Sequence, residues 1–223
     1  MNEKNVFINC PFDNQYFVLL KPLLFSLIYI ELIPQISETS DSGEIRLHKI
    51  KDLMSNSKYS IHDLSRMEPM KNKELPRFNM PFECGIDFGI KLSNPLTMAE
   101  KKFLILDKED FRYQQVISDI SGNDIKSHKN NPEQIIKVIR DWFKPTNPKI
   151  PRHKEIWLAF AEFEYDYEEI LNSEGYDPKD IHALTFSDII EYMQTWITNF
   201  KKNNSPQQQN TRKSGVVASL TVN

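Results

Sequence analysis

Along residues 1–145, short apolar runs alternate with segments whose apolar residues recur at helical spacing. That alternation constrains the chain most, because strands separated by helix-length crossovers pair in parallel, which commits this stretch to a parallel sheet wrapped by helices. Val6-Phe7-Ile8 reads as the first strand. Residues 15–30 read as the first crossover helix, with Phe17, Leu20, Leu24, Leu27 and Ile28 at helical spacing and Pro22 in its early turns or as a kink. Residues 32–37 read as a second strand, and Pro34 inside it removes a ladder donor, which places that strand at a sheet edge. An edge second strand is the flavodoxin-like order 2-1-3-4-5 of a doubly wound α/β fold.

Asp41 and Glu44 have capping-box spacing ahead of Ile45, Ile50, Leu53 and Met54, which predicts a second helix. Residues 59–62 form the third predicted strand and residues 64–77 a polar loop. Asn79-Met80-Pro81 is a helix start, with the helix running to about Leu92. Phe103-Leu104-Ile105-Leu106 is the most continuous apolar strand and suits a sheet centre. Val116 and Ile117 read as a last short strand, residues 119–124 as a turn, and Pro132 as the opening of a helix that faces the core with Ile135, Ile136, Ile139 and Trp142.

Three prolines in residues 145–151 read as a linker. It separates an α/β domain at 1–145 from a helical appendage at 152–202, with helices expected at 154–172 and 187–202. Trp157, Phe160, Phe163 and Trp196 load that appendage with aromatic surface that needs burial or a partner, either a partner protein or a second copy. Residues 203–223 turn polar and are expected to be a disordered tail.

Composition removes several classes of function. With 28 Lys+Arg against 31 Asp+Glu, the net charge is −3, so a nucleic-acid partner is not expected. Only two cysteines occur, Cys10 and Cys84, too few for a disulfide framework and without metal-ligand spacing. No metal site is expected. Residues 1–9 hold no apolar run of signal-peptide length, and the apolar stretch at 17–32 is broken by Lys21, Pro22 and Glu31, so the expectation is a soluble cytoplasmic protein without a membrane span. Neither G-x-G-x-x-G nor a Walker A pattern is present, which excludes the dinucleotide fingerprint and the P-loop.

In an open parallel sheet, ligands bind outside the carboxyl ends of the strands. Three segments reach that edge: Asn9-Cys10-Pro11-Phe12-Asp13, His62-Asp63-Leu64-Ser65-Arg66, and Arg77-Phe78-Asn79-Met80-Pro81-Phe82-Glu83. Together with the strands before them and Cys84-Gly85 after, these segments resemble the strand, strand and glutamate-helix plan of nucleoside 2-deoxyribosyltransferase-like proteins and their Toll/interleukin-receptor (TIR)-like relatives. The resemblance covers residues 4–145. It implies that Glu83 is a carboxylate acting at the anomeric carbon, that Asp63 is its acidic companion, and that the Pro11 loop holds a nucleoside. It also implies an N-glycosidase consuming NAD or a related nucleotide as substrate, with no separate cofactor, of the kind found among bacterial antiphage effectors. Asn79-Met80-Pro81 stands where the transferases commonly carry a Gly-Thr or Ser-Gly turn.

The residues carry a physical reading of their own. Cleaving an N-glycosidic bond develops oxocarbenium character, and a carboxylate beside the anomeric carbon stabilises or attacks that cation. Glu83, expected in the first turn of its helix, would be kept ionised by the helix dipole, and a capping role fits the same position. Asp63 would bind a ribose hydroxyl, protonate a leaving base or cap the following turn. Arg66 and Arg77 suit phosphate oxygens, with Ser65, Asn79, Asn9 and Asp13 as further polar contacts. Phe12 and Phe82 would sandwich a base or fill the core. Asp119, Asn123, Asp124 and His128 lie after the final predicted strand near the same edge. Two functions from different classes follow: the glycosidase, and a TIR-like module that senses a nucleotide or a partner protein without turnover.

Overall fold

The computed structural model describes residues 1–38, 45–67, 78–112, 117–120, 122, 124–177 and 184–204. Five strands, β1 (Asn2–Asn9), β2 (Ile33–Gln35), β3 (Ser57–Asp63), β4 (Lys102–Asp107) and β5 (Lys126–Ser127), form one sheet in the order β2-β1-β3-β4-β5. Every pairing is parallel. This is the doubly wound α/β architecture, with β2 and its Pro34 on the edge, where a missing N–H costs no ladder bond on the open side.

The helices follow from the same alternation. α1 (Phe17–Tyr29) runs unbroken through Pro22 and buries Leu19, Leu20, Leu23, Leu24, Phe25, Leu27 and Ile28. α4 (Pro132–Phe143) packs against it. Asn131 caps α4 by accepting from the Gln134 N–H at 3.0 Å, Pro132 sits in the first turn, and Ile135, Ile136, Val138, Ile139 and Phe143 face inward. α2 (Arg46–Asn56) and α3 (Asn79–Ser93) pack together. Ile50 and Met54 of α2 meet Phe7 of β1, with Ile86 and Ile90 of α3 against them. A second cluster joins Leu64, Met67, Met80, Cys84 and Ile105.

Two expectations are corrected. The last strand is Lys126–Ser127, not Val116 and Ile117; Ile117 lies outside any strand and packs against the Leu64–Met80 cluster instead. β4 is interior but neighbours the centre, which is β3. Val116, the Asp41–Glu44 capping box, most of the loop at 64–77 with Arg77, Asn123, and residues 205–223 lie outside the described residues.

By its internal contacts the chain divides into two units at Glu162 and Phe163, inside α5 (His153–Ser173). In the first unit, Phe160 meets Phe25 edge-to-face at 5.4 Å and Trp157 lies 5.9 Å from Phe160. In the second, the end of α5 pairs with α6 (Phe186–Asn203). Phe163 meets Trp196 edge-to-face at 5.7 Å, and the Trp196 indole N–H donates to Asp166 Oδ2 at 2.7 Å. Thr185 and Asp188 form a capping box at the start of α6. No helix among the described residues is long and apolar enough to cross a membrane.

Candidate active site

The carboxyl ends of β1, β3 and β4 carry Asn9, Asp63 and Asp107, all buried. Around them two polar networks form.

Asp63 is fully buried, and its oxygens are taken. The Ser65 N–H donates to Oδ1 at 2.8 Å and the Tyr16 hydroxyl to Oδ2 at 2.5 Å. His128 Nε2 lies 3.2 Å from Oδ2, close enough for electrostatic attraction although off the hydrogen-bond axis. Its Nδ1 accepts from the Asn130 N–H at 3.0 Å, so the ring carries hydrogen on Nε2, facing the carboxylate. Burial pushes the Asp63 pKa up, but His128, Ser65 and Tyr16 outweigh it and hold it below the ordinary value. Burial, then the Asp63 charge, pushes the Tyr16 phenol well up, so it remains a donor. Asp63 is thus an ionised tie joining β3, the start of α1 and the turn after β5, and an ionised group is no proton donor for a leaving base.

The second network runs through Asn9. Its amide nitrogen donates to Met80 O at 2.9 Å, which fixes the amide orientation, and contacts His62 Nδ1 at 3.1 Å. His62 Nδ1 therefore accepts, and Nε2–H donates to Asp87 Oδ2 at 3.1 Å. Lys101 completes the chain: its Nζ lies 3.1 Å from Asp87 Oδ1 and donates to Met54 O, Ser57 O and Ser60 Oγ at 2.7, 3.0 and 2.9 Å. Lys101, Asp87 and His62 are all sealed from solvent. Burial lowers the Lys101 pKa, while in Asp87 His62 and Lys101 overcome burial and lower it.

One turn before Asp87 on α3 stands Glu83, 6% exposed. α3 starts at Asn79, so Glu83 lies beyond the first turn and caps nothing, which corrects the expected first-turn position. Its partner is Arg46, at the start of α2, whose Nη1 donates to Oε1 at 3.1 Å. Burial raises the Glu83 pKa, with Arg46 and then His62 pulling it back in part. The helix dipole does not hold this carboxylate ionised.

Burial pushes the Cys10 thiol well up, and the charges of Asp63, Asp13 and Glu83 add to it. Through its bonds to Met80 O and His62, Asn9 joins the end of β1 to the start of α3, which carries Glu83, and to the end of β3, which carries Asp63, so the three segments share one edge.

The remaining predicted residues fall as follows. Pro11 is buried and Phe12 is 37% exposed. Asp13 Oδ1 accepts from the Gln15 and Tyr16 N–H groups and from Arg66 Nη2 at 3.3 Å, so Arg66 is already paired. Ser65 contributes its backbone N–H to Asp63. Asn79 is exposed at the start of α3, as are Phe78 and Phe82, each more than 60%. Asp119 is exposed on the 3-10 turn Ser118–Ile120, and Asp124 is exposed and paired with Lys126 at 2.7 Å. No contact draws either of these two aspartates to Glu83 or Asp63 among the described residues.

Sequence reasoning missed Arg46, Tyr16, Asp87, Lys101, and Asp107 with Arg112. Asp107 was open to the same end-of-strand rule that found Asp63. Arg112 Nε donates to Asp107 Oδ1 at 3.0 Å and its Nη2 to Leu64 O at 3.1 Å, while Asp107 Oδ2 has no hydrogen-bond partner among the described residues. Burial pushes the Asp107 pKa up against the pull of Arg112. Among the described residues no group of three or more His, Cys, Asp or Glu side chains could hold a metal ion.

No family model, curated protein or solved structure matches the chain.

Proposed function

We propose that the protein is an N-glycosidase that hydrolyses the base–sugar bond of NAD or a related nucleotide at the edge where Asn9, Asp63 and Glu83 converge. The observation that carries this reading is Glu83, a nearly buried carboxylate at the carboxyl edge of a doubly wound sheet, ion-paired with the half-exposed Arg46. The resemblance of the three edge segments to the deoxyribosyltransferase-like and TIR-like plan supports the same role.

In this reading the C1′–N bond breaks with its electron pair leaving on the base, Glu83 stabilises the cationic sugar, and water bonds to C1′ and loses a proton to solvent. Asp63, ionised and saturated with partners, positions the loop after β3 and does not protonate the base. That division of labour favours a leaving group that needs no general acid. The nicotinamide of NAD is already cationic and departs as a neutral base, whereas a neutral purine or pyrimidine needs a proton.

The test is incubation of the full chain with a mixture of NAD, ribonucleotides and deoxyribonucleotides, followed by mass analysis for free base. Nicotinamide release supports the reading. Nucleotide binding by calorimetry with no free base over hours replaces it with a sensing module.

A further inference from the structure

We propose that Arg46 is the phosphate-binding group of this site, and that a phosphate or diphosphate ligand draws it off Glu83 and so unmasks the carboxylate when a nucleotide binds. The inference deepens the glycosidase reading and rests on it for its biological use.

The ion pair is asymmetric. The Glu83 side chain is 8% exposed and the Arg46 side chain 48%, so one partner is fixed in the protein and the other can turn to solvent. A guanidinium has five N–H donors, and among the described residues only Nη1 of Arg46 is engaged, by Glu83. Two other arginines near this edge are committed. Arg66 is 18% exposed and held by Asp13, and Arg112 is 8% exposed on Asp107.

Phosphate oxygens match the guanidinium fork in two parallel hydrogen bonds, where Glu83 takes one. A phosphate brought alongside Glu83 would set like charges side by side, so the arrangement that relieves both is Arg46 turned outward onto the phosphate. Glu83 is then left facing the sugar without its counter-charge, when a cationic sugar becomes its best partner. Glu83 is held by Arg46 from α2, with His62 from β3 adding a weaker pull, so loss of Arg46 removes the larger of the two favourable influences on it.

The experiment needs no catalytic activity. The Glu83 carboxyl is followed by carbon-13 NMR in the full chain across pH, its resonance assigned by its disappearance in Glu83→Gln. Saturating inorganic pyrophosphate should raise the titration midpoint beyond the effect of sodium chloride at equal ionic strength, which controls for screening. Arg46→Gln should start from the raised midpoint, bind pyrophosphate about tenfold or more weakly, and show no further rise. Arg46→Ala, at the same half-exposed position, checks that result.

A wild-type midpoint that moves no more with pyrophosphate than with chloride overturns the proposal. An equal rise in Arg46→Gln does so too, because the anion would then act elsewhere. Either result leaves the glycosidase reading standing, since base release is measured separately. A moving midpoint with no base released from any nucleotide sinks that reading and keeps the anion site.

Discussion

The Tyr16 hydroxyl donates a 2.5 Å hydrogen bond to Asp63 Oδ2, so the residue just before α1 is tied to the last residue of β3. Both side chains are sealed from solvent, and the carboxylate is ionised. The tie fixes the opening of the segment at Pro11–Asp13 relative to the third strand.

Replacing Tyr16 with Phe removes that bond without altering the ring. A hydrogen bond to a buried charge is worth about 1.5 to 3 kcal/mol, and this loss of stability is expected in urea unfolding at pH 7. The pH dependence has a definite sign. Because the folded-state pKa of Asp63 lies below its ordinary value of 3.8, its contribution is present above that value and is lost as pH falls through the folded pKa. The gap between wild type and Tyr16→Phe should therefore narrow in unfolding curves taken below about pH 4. A gap that shows no narrowing down to the lowest pH at which both proteins stay folded would show that the phenol supports packing, not charge.

Both thiols should be inert in the native protein. Burial, with Asp87 nearby, pushes Cys84 up to about 12, and burial with three neighbouring carboxylates pushes Cys10 well up, so neither is a thiolate at pH 8. Iodoacetamide at pH 8 should leave the native chain unmodified and alkylate both cysteines in guanidinium, as read by intact mass. Rapid native labelling of Cys10 would mean that the edge opens readily to solvent.

Much of this architecture was legible in the sequence, and the gaps have physical reasons. Pro34 announced the edge strand because a missing donor is a local fact. Pro132 announced the opening of α4 in the same way. β5 was not legible: two residues, Lys126 and Ser127, bear no apolar run, since their strand is held by pairing to β4 at Leu106 and Asp107. Arg46 reads as an ordinary solvated cation, and only folding brings it across 37 positions to Glu83. Asp87 and Lys101 were hidden for the opposite reason. Charged residues are read as surface, and a buried pair is recognisable only once its hydrogen-bond partners are known.

That buried pair gives a further expectation. Lys101→Met leaves Asp87 without its cation, and three acceptors, Met54 O, Ser57 O and Ser60 Oγ, lose a donor, at a cost of about 3 to 5 kcal/mol. Asp87→Leu strands the lysine and costs a similar amount. The double variant should cost less than the sum, because each single change leaves a buried charge that the second removes. A double-mutant cycle by urea unfolding measures the coupling, and strict additivity would mean that the two charges do not stabilise each other.

Glu83→Gln addresses the chemistry. The amide is nearly isosteric and its oxygen still accepts from Arg46 Nη1, so the helix and the edge should keep their shape. Its buried site also favours the change, since burial already raises the Glu83 pKa and a neutral group carries no such penalty. What is lost is the negative charge that the cationic sugar requires. Removing one electrostatic contact of this kind costs about 10² to 10³ in turnover, and more where the carboxylate attacks the sugar itself. Base release from NAD should fall at least that far while the melting temperature holds or rises, because a stabilised but inactive variant separates a chemical role from a structural one. Asp63→Asn supplies the contrast: its charge is held by Tyr16, His128 and Ser65, so the loss there should appear first in stability. Wild-type turnover in Glu83→Gln would make the carboxylate no more than the counter-charge of Arg46.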